Sequence, residues 1–148
     1  MEQSKSFVAL IRTETLGYVN TMRTGTEKRD LGRRGELVAE QFLHSQEYVV
    51  IARNYRCPYG ELDLIMRDRE TLVFVEVRTL SGSTFGDPLA SVTFRKQRQI
   101  IKAASHYLSR CRLGQQAIRF DVIGIVWENL VPHVTHVKEA FELPSSYW

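Results

Sequence analysis

Four charged side chains stand inside the two apolar runs of residues 60–78, GELDLIMRDRETLVFVEVR: Glu61 and Asp63 in the first run, Glu76 and Arg78 in the second. Successive residues of a strand alternate faces, so Glu61 and Asp63 share a side with Ile65, while Glu76 and Arg78 share a side with Leu72 and Phe74. A hairpin centred on Asp68 and Arg69 places Glu61 across from Glu76 and Asp63 across from Phe74, with all four charged groups on one face. Carboxylates opposed on neighbouring strands have Cβ atoms only ~5 Å apart, and their repulsion must be offset. A raised pKa on one carboxyl, pairing with Arg78, or a divalent cation held between the acids would each do so. Oxygen-only ligands suit Mg²⁺ or Mn²⁺ rather than zinc. The competing account is an ordinary charged sheet face with Arg78 as a cross-strand partner. The apolar neighbours Ile65, Leu72 and Phe74 weigh against it, because a carboxylate among them is costly unless paired or metal-bound.

The elements that must position this face are legible on either side of it. From Asp30, a candidate N-cap, LGRRGELVAEQFLHSQ carries Leu37, Val38, Phe42 and Leu43 at helical spacing, with Gly32 and Gly35 allowing another backbone to come close. EYVVIARNY reads as a first strand and NYRCPYG as the turn after it, leading into the hairpin. LSGSTFGDPLA is a loop long enough to form a flap, in which Asp87 and Pro88 open a helix. Residues 91–110 form an amphipathic, basic helix with Val92, Ile100, Ala103, Ala104, Tyr107 and Leu108 on or near one face. AIRFDVIGIVW then reads as a fourth strand, in which Arg119 and Asp121 make an ion pair on one face, and LVPHVTHV as a weaker fifth whose Pro132 marks an edge. The order α, β, β, β, α, β, β predicts an α/β domain, a mixed central sheet flanked by helices, over residues 30–148, preceded by an extension of residues 1–29.

Composition restricts the class. With 148 residues, 43% hydrophobic and 25% charged, the chain suits one soluble domain. No apolar run approaches the roughly 18 residues that span a bilayer, and FVALI near the start is too short for a signal peptide, so a cytoplasmic protein without membrane contact is expected. Cys57 and Cys111 are far apart and outside any CxxC pair, which indicates neither zinc nor a disulfide framework. The four histidines lack metal-ligand spacing on a shared helix face. The net charge of +3 is modest and is by itself equally the mark of a solvated surface. Its distribution is more telling: Arg33 and Arg34 form one cluster, and Arg95, Lys96, Arg98 and Lys102, with Gln97 among them, form another that suits phosphate binding.

Taken in order, GRRGELVAEQFL, ARNYRCPYGELDLI, FVEVR, the FGDP loop, RKQRQIIKAASHYL and RFDVIGI resemble the YraN family of small bacterial proteins. That family lies within the restriction-endonuclease-like PD-(D/E)XK superfamily, which includes archaeal Holliday-junction resolvases. The resemblance covers about residues 31–126. It implies an αβββαβ core and a metal-dependent nuclease, or a nuclease-derived DNA-binding protein, hydrolysing phosphodiester bonds, with branched DNA as a candidate substrate. Carried over by position, it makes Glu36 the helix acid, Asp63 the metal-binding aspartate, Glu76 the glutamate of Glu-x-Lys and Arg78 the occupant of the lysine position, with Glu61 an additional metal carboxylate. Mg²⁺ or Mn²⁺ held by Asp63 and Glu76 would activate water for in-line attack while Arg78 steadies the developing charge. Junction-cutting relatives act as dimers, which makes a homodimer an expectation, with the fifth strand or the N-terminal extension as its candidate face. Two departures stand out. Arginine cannot release a proton as lysine can, so the alternative is a non-catalytic nucleic-acid-binding module with a degenerate site. Glu47 stands where the family tends to have glycine, which carries local backbone meaning.

Overall fold

The computed structural model describes residues 27–80 and 87–145. Within them the chain runs α1 (Glu27–Ser45), β1 (Val49–Cys57), β2 (Gly60–Asp68), β3 (Thr71–Leu80), a 3₁₀ turn (Pro88–Ser91), α2 (Phe94–Arg110), β4 (Ile118–Glu128) and β5 (Val131–Phe141). This is the expected α, β, β, β, α, β, β order, and the protein is α/β. The strands form one sheet in the order β1-β2-β3-β4-β5. Only β3 and β4 run parallel, because α2 carries the chain across a face of the sheet between them, as a parallel connection requires. Every other neighbouring pair is antiparallel.

Several boundaries differ from the sequence reading. Asp30 lies inside α1 rather than at its N-cap, where a carboxylate still complements the positive end of the helix dipole. Glu47 takes φ 67 just past the end of α1, the left-handed position that glycine fills in most helix C-terminal caps. Asp87 caps a 3₁₀ turn instead of an α-helix, its Oδ1 accepting from the Leu89 N–H at 2.9 Å. The helix proper starts three residues later than the expected Ser91, behind Thr93, whose Oγ1 accepts from the Lys96 N–H at 3.2 Å. Strand β1 continues to Cys57 and leaves only Pro58 and Tyr59 as its turn. Strand β5 extends past Val137 to Phe141, which stacks on Phe120 with ring centroids 5.0 Å apart. The expected extension, apart from residues 27–29 of α1, and most of the expected flap, residues 81–86, lie outside the described residues.

The hairpin register is corrected. Asp68 pairs with Thr71, Ile65 with Phe74 and Leu64 with Val75, so the turn is Arg69 and Glu70. Glu61 therefore does not oppose Glu76, nor Asp63 Phe74. Alternation of apolar residues determines which face each residue takes, but a slide that preserves this parity leaves the pattern intact, and turn geometry must decide between the alternatives. Here Arg69 adopts φ 55 and Asp68 is held in the ladder by Arg119, Nη1 to Oδ2 at 2.9 Å.

Two apolar cores flank the sheet. Val38, Ala39 and Leu43 of α1 pack with Leu64, Met66, Val73, Val75, Ile123 and Ile125. Ile100, Ala103, Ala104 and Tyr107 of α2 pack on the opposite face with Leu62, Ile65, Leu72, Phe74 and Phe120. Leu62 and Leu64, two apart on one strand, thus belong to opposite cores, and the alternation of β2 is broken at Asp63. No helix among the described residues is long and apolar enough to cross a membrane.

The expected Arg119–Asp121 pair exists and is the centre of a larger buried network. Asp121 is fully buried and accepts from Arg119 Nε at 2.8 Å and Nη2 at 3.0 Å and from the Glu139 N–H at 3.2 Å, with His136 Nε2 at 2.8 Å. Arg119 also reaches the Tyr48 hydroxyl at 2.6 Å. Burial works to raise the Asp121 pKa, but the hydrogen bonds to His136 and Arg119 outweigh it and hold the carboxyl below its ordinary value. A depressed pKa contributes stability that is present above the unfolded-state value near pH 4 and is lost as pH falls through the folded-state value. Asp121→Asn should lower the stability at pH 7 by about 3–5 kcal/mol, since Arg119 is left without its buried partner. Urea unfolding across pH 3–7 should show a shallower acid loss in the variant than in the wild type, and parallel curves would refute this account.

Candidate functional site

The ladder between β2 and β3 ends at Leu64–Val75. Beyond it a side chain takes the place of a backbone partner: Asp63 Oδ2 accepts a hydrogen bond from the Val77 N–H at 2.8 Å. Strand β3 keeps its place there because β4 supports it on the other side, with Glu76 beside Val122 and Arg78 beside Gly124. Broken alternation at Asp63 and an unbroken β3 thus bring the Asp63 and Glu76 carboxylates together at the point where the two strands separate.

Glu76 is only 4% exposed. Its Oε1 lies 3.3 Å from Lys96 Nζ and 3.7 Å from Arg78 Nη1, whereas its Oε2 is buried with no hydrogen-bond partner. Burial, and then the charge of Asp63, push the Glu76 pKa up to about 7. Burial also raises that of Asp63, against the Val77 hydrogen bond and the Lys96 charge. Arg78 is held from the far side, its Nε donating to Ser91 Oγ at 3.3 Å. Ser91 is tied in turn to the Pro88 carbonyl at 2.6 Å. That turn sits tight on the sheet because Gly124 has no side chain: a Cβ there would lie 2.4 Å from Pro88 Cγ.

Glu36 reaches the same region from α1. A Cβ on Gly35 would lie 2.5 Å from Thr79 Oγ1, so this glycine admits the close approach of helix and strand, while Gly32 has nothing within 4 Å. Burial, and next the Asp63 charge, raise the Glu36 pKa. Asn54, at φ 50, joins the two outer acids when its amide is oriented to donate, with Nδ2 3.1 Å from Glu36 Oε2 and 2.8 Å from Glu61 Oε1. Glu61 also receives Arg56 Nε at 3.1 Å. The expected single face is therefore two groups. Asp63, Glu76, Arg78 and Lys96 form the inner one, and Glu36, Asn54 and Glu61 the outer one.

Among the described residues no three His, Cys, Asp or Glu side chains are gathered to hold a metal ion. The candidate donors are the Asp63 and Glu76 carboxylates, and two carboxylates are what Mg²⁺ commonly takes from a protein, its remaining positions going to water and substrate phosphate. A buried Glu76 with one unpartnered oxygen beside a half-buried Asp63 fits such an ion.

The basic clusters divide as well. Lys96 is half-buried and pairs with Glu76; no pattern in the sequence separates it from its neighbours, since only the docking of α2 on the sheet does so. Gln97 turns back on its own helix start, Nε2 donating to the Val92 carbonyl at 3.1 Å. Arg33 is exposed, but Arg34 lies over the Trp127 ring at 4.6 Å with Nε and Nη2 buried and unpartnered. Arg95, Arg98 and Lys102 are exposed on α2. His136, set aside on spacing, serves Asp121.

Residues 35–125 match the profile of the uncharacterised protein family UPF0102. The chain belongs to the UPF0102 family. A UPF0102 protein of Geotalea uraniireducens is 45% identical over 118 residues, covering 79% of this chain and 93% of the relative. One from Geobacter metallireducens is 43% identical over 115 residues (78% and 94%), and one from Clostridium kluyveri 38% over 117 (78% and 96%). The matched UPF0102 segment contains Glu36, Asp63, Glu76, Arg78 and Lys96, the residues around the acid pair.

The raised pKa of Glu76 has a thermodynamic sign. Both folded and unfolded forms bind the proton below about pH 4.5; above about pH 7 the folded protein holds a buried ionised carboxylate, so its stability falls as pH rises between the two. Glu76→Gln removes the titration. In chelator, urea unfolding should show the variant gaining on the wild type by on the order of 2 kcal/mol from pH 5 to pH 8, and an equal difference at both pH values would contradict the assignment.

Proposed function

We propose that this UPF0102 protein is a metal-dependent phosphodiester hydrolase acting on DNA, with its α1-β1-β2-β3-α2-β4 segment as a restriction-endonuclease-like core. The observation that carries this reading is Glu76, a buried acid with one unpartnered oxygen, beside Asp63 and flanked by two cations. Asp63 and Glu76 would hold the Mg²⁺ or Mn²⁺. When bound, such an ion polarises a phosphoryl oxygen and acidifies water at neutral pH.

The chain's own cations have separable tasks. Arg78, held through Ser91, presents a guanidinium that stays charged and can steady negative charge on a phosphate. Lys96 sits nearer to Glu76 than Arg78 does, and its ammonium is a compact point charge on a flexible stem that can meet a phosphate oxygen. The lysine expected on β3 is thus answered from α2, which removes the chief objection that Arg78 raises against activity. A second reading, a nucleic-acid-binding module without chemistry, draws on the same contacts, since Lys96 and Arg78 already provide positive charge against Glu76.

Cleavage of labelled duplex, single-stranded and four-way-junction DNA with Mg²⁺ or Mn²⁺ separates the two. The wild type should cleave, Asp63→Ala/Glu76→Ala should not, and Lys96→Met should lose a factor of about 10² or more, while Arg78→Lys stays active. No cleavage by the wild type, together with cleavage by Arg78→Lys, would establish the binding module instead. Mn²⁺ should also raise the melting temperature of the wild type in a concentration-dependent way, and that shift should vanish in the double alanine variant.

A further inference from the structure

A groove of about 360 Å³ runs along the exposed side of α2, lined by Tyr59, Arg95, Arg98, Gln99 and Lys102. Three of these five side chains are cationic and none is acidic. Arg95, Arg98 and Lys102 follow one another at i, i+3 and i+7, a row about 10 Å long on one helix face. Such a row tracks a phosphodiester backbone rather than a single anion.

The opposite wall is an aromatic ring held in place from below. Tyr59 is 49% exposed, and its ring meets His106 edge to face at 5.9 Å. His106 Nδ1 is hydrogen-bonded to the Tyr55 hydroxyl at 2.8 Å, and Tyr55 packs edge-on against the buried Tyr107 at 5.1 Å. The β1–β2 turn is also pressed against α2: Gly60 has φ 136, and a Cβ there would lie 2.6 Å from Gln99 Nε2. The tyrosine ring and the helix that carries the cation row are therefore held close together. Phe94, 83% exposed at the start of α2, lies one turn before Arg98 on the same helix.

We infer that this groove binds an unpaired stretch of nucleic acid, one base stacked on Tyr59 and the backbone phosphates on Arg95, Arg98 and Lys102. A base inside a duplex already spends both faces on its neighbours, so an aromatic platform beside a cation row selects strands or junction ends whose bases are free. The inference deepens the hydrolase reading, on which its substrate role rests: Lys96, next to Arg95, places the acid pair at the start of the row.

Binding is tested without cleavage, by fluorescence anisotropy of a labelled oligothymidylate and of a duplex of equal length in chelator, using the full chain. Tyr59→Ala should weaken binding of the single strand about tenfold and leave the duplex and the log–log salt slope nearly unchanged, whereas Tyr59→Phe should bind as the wild type does. Arg98→Ala/Lys102→Ala should reduce the slope by about 1.4, roughly 0.7 for each phosphate contact on a single strand. All three side chains tested are exposed, so melting temperatures should not move. Absence of binding, a Tyr59→Ala variant that binds normally or weakens both oligonucleotides equally, or a Tyr59→Phe variant as weak as the alanine would each overturn the inference. Single-strand binding of the expected kind without any cleavage would leave the groove standing and remove the hydrolase; cleavage with no effect of Tyr59→Ala would do the reverse.

Discussion

A carboxylate sealed inside a sheet is the constraint around which this protein is arranged. Removing Glu76 from water disfavours its charged form, and Asp63 beside it adds repulsion of the same sign. The surrounding structure answers both. Strand β2 leaves its ladder with β3 where Asp63 accepts the Val77 N–H, α2 delivers Lys96, and a 3₁₀ turn holds Arg78. One oxygen of Glu76 is nevertheless left without a partner. A protein that needed only stability would be better served by an apolar residue at this position, since buried ion pairs seldom repay their desolvation. Retaining the acid is what the proposed site, taking a divalent cation from outside, would require.

The supports of that site are places where a side chain is missing. Gly124 lets Pro88 come within a distance no Cβ would tolerate, Gly35 brings α1 against Thr79, and Gly60 brings the β1–β2 turn against Gln99. Each contact positions a chemical group: Arg78 through Ser91, Glu36 next to Asp63, and Tyr59 opposite the α2 cations. Close packing of this sort transmits small displacements, so the site is rigid because its frame is. At the other end of the sheet, Arg119 joins Asp121 to Asp68 and so anchors the hairpin on which Asp63 and Glu76 stand.

Much of this was legible in the residues. Helical spacing of Val38, Phe42 and Leu43, alternation in 60–78 and the amphipathic pattern of 91–110 gave the element order, because each reflects a period that an element must bury; Leu37, assigned to the same stripe, is instead 52% exposed. Glu76 is the acid of this hairpin that is buried, and that one of its acids would need a compensating charge was likewise readable. The register was not, because sliding the hairpin while keeping its parity leaves the apolar pattern unchanged. The break in alternation at Asp63 was not either, since it lies where pairing with β3 stops beyond Leu64.

By itself the sequence determined the fold class, the order of elements and the acids and cations available, since these depend on local propensity and on which residues avoid water. Only the tertiary structure decided which charges meet. Lys96 and Arg95 are adjacent in the chain, yet one is paired to a buried carboxylate and the other lines an open groove, because a helix turns about 100° between them. His136 and Asp121 lie on different strands, and Glu61 and Glu76 were parted by the register of the hairpin. Charge interactions act between groups that packing brings within a few ångströms, and that proximity is a property of the folded chain.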